Sequence, residues 1–151
     1  MYNTFDFHEL DTLIGLSTII LPQRLNTISS LQFQWVKMYQ TYPSNNTARA
    51  PFDMKTWQTF WRVIAGMAGL RKLQAVILDT TAHRSWATST LDYHEQLVQF
   101  LNPLCAVKQT VGFNVDYFWY GPMLDLHMVE APFRFSNYPA TELASRMLPC
   151  R

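Results

Sequence analysis

DMKTWQTFWRVIAGMAGLRKLQAVIL, residues 53–78, holds both periodicities that decide the fold. In its first half Met54, Trp57, Phe60, Trp61, Ile64 and Met67 recur at helical spacing, which makes one apolar stripe along a helix. Asp53 stands where a helix wants a side-chain oxygen to take up its first free amides. Gly66 and Gly69 supply the stop. Leu70 and Leu73 then lead into Ala75-Val76-Ile77-Leu78, a nearly continuous apolar run. Such a run suits a central parallel strand covered on at least one face. The segment is one helix–strand unit.

The same alternation extends outward in both directions. Asn3–Phe7 alternates as a strand, and Leu10, Leu13, Ile14 and Leu21 follow with helical spacing. Pro22 fits the first position of a second short turn. Leu31-Gln32-Phe33-Gln34-Trp35 alternates cleanly, as a half-buried strand does. Beyond the central unit, Ser89 or Thr90 caps a helix carrying Leu91, Leu97, Val98 and Leu101, and Asn102-Pro103 ends it. Val111, Phe113, Val115 and Tyr117 alternate as a further strand, Phe133-Arg134-Phe135 reads as a short one, and Thr141–Leu148 as a terminal helix.

The junctions resemble one another. Leu25-x-x-Ile28-x-x-Leu31-x-Phe33 lines up with Leu70-x-x-Leu73-x-x-Val76-x-Leu78. Leu104-x-x-Val107 followed by Val111-x-Phe113 matches with one residue inserted. A period of roughly 35–45 residues is the mark of stacked repeats, in which no unit buries its own apolar face. The expected fold is therefore α/β, repeating helix–strand units with a mainly parallel sheet, leucine-rich-repeat-like. A compact three-layer α/β sheet is the alternative. Residues 1–151 read as a single α/β domain, N-terminally truncated, with residues 136–151 a weakly ordered tail.

Composition removes several function classes. Of 151 residues, 48% are hydrophobic and 15% charged, with a net charge of +1, against about 25% charged in an average soluble domain. Disorder requires the reverse balance. A nucleic-acid domain shows a basic stripe, and here Lys and Arg are scattered. Uncharged runs such as Leu25–Val36 and Gln96–Val107 fall short of the ~20 apolar residues of a membrane span. Asp6, Glu9 and Asp11 stand where a secretory signal carries positive charge. Cys105 and Cys150 are too few for a disulfide scaffold and lack metal spacing. An intracellular location, cytoplasmic or nuclear, follows, in which the sequon Asn45-Asn46-Thr47 carries no meaning.

The chemistry-bearing residues form no constellation. The strands are not followed by glycines that would cradle phosphate. His8, His83, His94 and His127 are dispersed, and His94 falls near the stripe of its helix. No nucleophile elbow occurs. Tyr117-Phe118-Trp119-Tyr120-Gly121-Pro122, the densest aromatic patch, reads as packing of the last strand and its loop, with a protein-binding surface as the alternative. No cofactor is expected. Three long connections, Met38–Phe52, Thr80–Ser89 and Phe118–Pro132, are the places where α/β folds carry loop-borne sites.

If the helices cover Leu31, Phe33, Val76, Leu78, Val111, Phe113 and Val115, the opposite sheet face presents Gln32, Gln34, Ile77, Asp79, Asn114 and Asp116. A polar strand face is where repeat solenoids receive partners. Gln32, Gln34, Asp79, Asn114 and Asp116 are the candidate protein-binding residues.

Asn3-Thr4-Phe5-Asp6-Phe7, Asp11-Thr12-Leu13-Ile14 and Ile20-Leu21-Pro22-Gln23-Arg24-Leu25 resemble a family of uncharacterised proteins of filamentous fungi, grouped as a domain of unknown function. Ile28-x-x-Leu31 with Trp35, Trp57-x-x-x-Trp61, Gly69-Leu70-Arg71-Lys72-Leu73 and Pro132-Phe133-Arg134 continue the likeness, over roughly residues 3–135. The resemblance implies leucine-rich-repeat character and, upstream, an F-box-like helical segment opening with a Leu-Pro motif. Together these imply a substrate-recruiting adaptor of a ubiquitin ligase. This chain opens at the strand, without the F-box-like part. The resemblance supplies no catalytic residue.

The expected function is a non-enzymatic module that binds a protein partner, neither nucleic acid nor membrane. The alternatives are a small enzyme with a loop-borne site around His83, Arg84 and Asp116, and a secreted fungal effector pairing Cys105 with Cys150.

Overall fold

The computed structural model describes residues 4–7, 9–37, 53–80, 90–121, 126, 128 and 130–146. Along the chain run β1 (Thr4–Phe7), α1 (Leu10–Ile19), α2 (Pro22–Leu25), β2 (Ser30–Lys37), α3 (Met54–Ala65), β3 (Lys72–Asp79) and α4 (Thr90–Leu101). A 3-10 turn, Asn102–Ala106, continues α4 through Pro103, and β4 (Gly112–Trp119), β5 (Arg134–Pro139), a second 3-10 turn (Ala140–Glu142) and α5 (Leu143–Arg146) follow. The strands form one five-stranded sheet in sequence order, β1-β2-β3-β4-β5. Every neighbouring pair is parallel.

Local chemistry explains the central unit. The Asp53 carboxylate accepts a hydrogen bond from the Thr56 amide at 3.3 Å, which satisfies one of the free donors at the start of α3. Trp57, Phe60, Trp61 and Ile64 all point from α3 into the core. Phe33 of β2 meets Phe60 with ring centroids 4.4 Å apart, and Trp57 stacks on Phe100 of α4 at 4.5 Å. Each such aromatic pair contributes about 0.5–1.5 kcal/mol beyond its buried area. The Trp57 indole N–H donates to the Phe100 carbonyl at 2.8 Å, so α3 is tied to α4 by direction as well as by packing.

The register is set where each strand begins. The amides of Arg71 and Lys72 donate to the Ser29 carbonyl, and those of Val111 and Gly112 donate to the Arg71 carbonyl. Each strand thus starts on the residue that precedes its neighbour, which aligns Ser30, Lys72 and Gly112. Just upstream, the Asn26 side-chain carbonyl accepts from the Ala68 amide at 2.8 Å. A Cβ on Gly69 would lie 1.7 Å from the Asn26 backbone oxygen. Close approach of two turns therefore requires glycine at residue 69.

That register corrects the repeat alignment read from the sequence. Leu31 pairs with Leu73 and then Phe113, Phe33 with Ala75 and Val115, and Trp35 with Ile77 and Tyr117. The recurring unit is Ile28-x-x-Leu31-x-Phe33-x-Trp35, repeated as Leu70-x-x-Leu73-x-Ala75-x-Ile77. The earlier alignment, Leu31 on Val76, is three residues out of step. Because side chains alternate between faces, an odd slip inverts every one of them. Ile77 and Asp79, expected outside, are buried under the helices, whereas Val76 and Leu78, expected beneath them, lie on the other face. Val111 precedes β4 and is 89% exposed rather than covered. At the C-terminus, residues 136–139, assigned to the tail, complete β5, and helical turns follow to Arg146.

Candidate functional site

The helices take one face of the sheet. Leu31, Phe33, Trp35, Leu73, Ala75, Ile77, Phe113, Val115 and Tyr117 are all buried there. The other face is built from the alternate residues. Its second row runs Asp6, Gln32, Gln74, Asn114, Arg134, one from each strand in register. Adjacent strands are ~4.8 Å apart, so the row is ~19 Å long. The third row holds Gln34, Val76, Asp116 and Ser136, and the fourth Val36, Leu78, Phe118 and Tyr138. The face grades from polar at the strand starts to apolar at the strand ends.

Four of the expected binding residues, Gln32, Gln34, Asn114 and Asp116, share this face. Asp79 does not. It is 0% exposed on the helix-covered side and accepts a hydrogen bond from the Tyr117 hydroxyl. Its polarity suggested an outward position, but a carboxylate is held inside when hydroxyl or amide donors reach it. Gln74 takes the place on the open face that Asp79 was given. The signal for it was present in Leu73-Gln74-Ala75, which alternates where Ala75–Leu78 does not.

A groove of about 500 Å³ opens over the starts of β2, β3 and β4, between Ser30, Gln32, Arg71, Lys72, Gln74 and Asn114. At its edge the Gln74 amide donates to the Asp116 carboxylate at 2.7 Å. Partial burial raises the Asp116 carboxyl above the ordinary carboxylate range, against the opposing pull of that hydrogen bond and of the Arg146 charge. Arg146 comes from α5 across the far corner of the same face. Its guanidinium lies 3.9 Å from the centre of the Tyr138 ring and its Nε donates to the Glu142 carboxylate at 3.0 Å. The C-terminal turn therefore partly covers the β4–β5 corner, where Phe118 packs on Tyr138 at 5.1 Å. The groove at the strand starts lies at the opposite end of the sheet face.

Other candidate groups remain apart. His83 and Arg84, named for a loop-borne site, lie outside the described residues, as do His8, His127, Asn45 and Cys150. His94 is half-buried on α4. Cys105 is a free thiol, packed against the core, and burial raises its pKa more than the Lys108 charge lowers it. Among the described residues no three His, Cys or carboxylate groups are placed to hold a metal ion. No described helix is long and apolar enough to cross a membrane.

Residues 1–138 match the family model of a domain of unknown function, DUF7730. The chain belongs to the DUF7730 family. Neither a curated protein nor a solved structure matches it. The DUF7730 match ends at Tyr138, inside β5. The groove residues and the whole polar row thus lie within the family domain, while Glu142 and Arg146 lie beyond it.

Proposed function

We propose that this DUF7730 domain is a non-enzymatic protein-interaction module whose partner lies across the open sheet face. One observation carries the reading: the parallel register puts Gln32, Gln74 and Asn114 side by side along a groove of about 500 Å³. Carboxamides both donate and accept, so a row of them suits the exposed amides and carbonyls of an extended polypeptide. We read one strand per unit, strands in sequence order and a polar strand face as a leucine-rich-repeat-like arrangement. Its spacing of roughly 40 residues between equivalent strand starts is longer than the ~20–29 of leucine-rich repeats. The sequence resemblance adds a context, the substrate-recognition part of an F-box-like adaptor working inside the cell.

The test is selection of peptides from a displayed random library on the folded protein. Peptides that lose binding to the Asn114→Arg and Gln34→Arg variants support the reading. Peptides that bind all three proteins equally, or no enrichment at all, overturn it.

A second reading, a small enzyme, draws on the Asp79–Tyr117 pair. The pair is a carboxylate and a phenol held together, both side chains buried, towards the carboxyl ends of adjacent parallel strands. A chemical shift change at Tyr117 on adding a metabolite library would favour it.

A further inference from the structure

Ser30, Gln32, Gln74 and Asn114 give the groove at the strand starts hydroxyl and carboxamide groups, and Arg71 and Lys72 give it positive charge. None of the residues around it is acidic. In a chain whose net charge is only +1 this is a local excess. Arg134 extends it, standing exposed beside Asn114 at the end of the same row. Of the acidic groups on this face, Asp6 closes the same row on the edge strand beside Gln32, and Asp116 is engaged by Gln74 one row further along.

We infer that the groove's occupant is an acidic segment of a partner protein, bound as an extended strand-like chain across the sheet. The inference rests on the protein-binding reading and specifies its partner. Charge complementarity selects an acidic ligand. The carboxamide row selects a polypeptide, because it pairs with the ligand's backbone whatever its side chains. A ~19 Å row accommodates about six extended residues at ~3.3 Å each. Nucleic acid fits less well. Single strands need aromatic platforms as well as cations, and the groove has no aromatic residue.

The experiment measures fluorescence polarisation of capped synthetic peptides of about six residues, alternating Thr with Glu, with Lys or with Asn, alongside an oligouridine. The Glu peptide binds at least about tenfold more tightly than the Lys peptide, and its affinity falls with salt. Arg71→Glu/Lys72→Glu, both at exposed positions, reverses that preference in a protein whose circular dichroism spectrum remains that of the folded domain. Equal binding of the three peptides, each abolished by Asn114→Arg, overturns the acidic occupant and leaves the protein-binding reading intact. Binding of the oligouridine alone overturns both. Failure of all four probes, together with an unenriched library, also overturns both.

Discussion

The Tyr117 hydroxyl donates to the Asp79 carboxylate from the neighbouring strand, beneath the helices. Both side chains are fully buried at the carboxyl ends of β4 and β3. Removing one donor from a buried carboxylate leaves part of its desolvation uncompensated, at a cost of about 1–3 kcal/mol. Tyr117→Phe should therefore destabilise the protein by that amount in urea titration.

The two tryptophans of α3 should differ. Trp57 donates its indole N–H to the Phe100 carbonyl at 2.8 Å, whereas the buried Trp61 indole N–H meets no acceptor among the described residues. Trp57→Phe loses that hydrogen bond to the Phe100 carbonyl. Trp61→Phe loses ring volume but also an uncompensated polar group. The first should cost more, by about 1–2 kcal/mol, and equilibrium unfolding followed by far-UV circular dichroism measures the difference.

Glycine substitutions should have opposite signs at two sites. At Gly69 an added Cβ meets the Asn26 backbone oxygen at 1.7 Å. One of the two turns must move, so Gly69→Ala should destabilise by roughly 1–3 kcal/mol or more. At Gly15, inside α1, a Cβ meets nothing within 4 Å. Gly15→Ala should stabilise by about 0.5–1 kcal/mol through helix propensity. Paired thermal melts decide both.

Asp116 should make stability depend on acidity in a sense opposite to that of an ion-paired carboxylate. Its folded pKa is raised, chiefly by burial. The folded state therefore holds the proton more tightly than the unfolded chain does. Its unfavourable contribution is present above the folded pKa and disappears as pH falls through that value towards the unfolded one. Asp116→Asn keeps an acceptor for Gln74 and removes the charge. The variant should be at least as stable as the parent at pH ~7 and lose that advantage below pH ~4. Melting temperatures across that range measure the crossing.

The sequence was most legible where one periodicity ruled. The stripe Trp57, Phe60, Trp61, Ile64 identifies α3, and Asp53 caps it as read. Leu31 to Trp35 alternate, and β2 shows the alternation in its burial. Ala75–Leu78 and Phe133–Phe135 read as strands, and both strands exist with wider or shifted bounds, Lys72–Asp79 and Arg134–Pro139. The failure came in Ala75–Leu78, where four apolar residues in succession carry no phase. The polar Asp79 then set the phase wrongly, and Gln74 was lost from the candidate face. Arg71, Lys72 and Arg134 carry no such signal either, since nothing in their local sequence says that the starts of β3 and β5 share one face of the sheet.

What the sequence determined by itself was the set of elements, because helix and strand periodicity are local and apolar side chains must be buried by whichever element carries them. A one-dimensional pattern also showed that units repeat. Only the tertiary structure decided which side of each strand faces the helices. That choice depends on where a strand begins against its neighbour, here on the Ser29 and Arg71 carbonyls each accepting two amides from a segment roughly 40 residues later. Hydrogen bonds at that separation leave no periodic trace in the chain. Yet they place Gln32, Gln74 and Asn114 in one row and Asp79 inside, and so decide where this domain has a surface to offer.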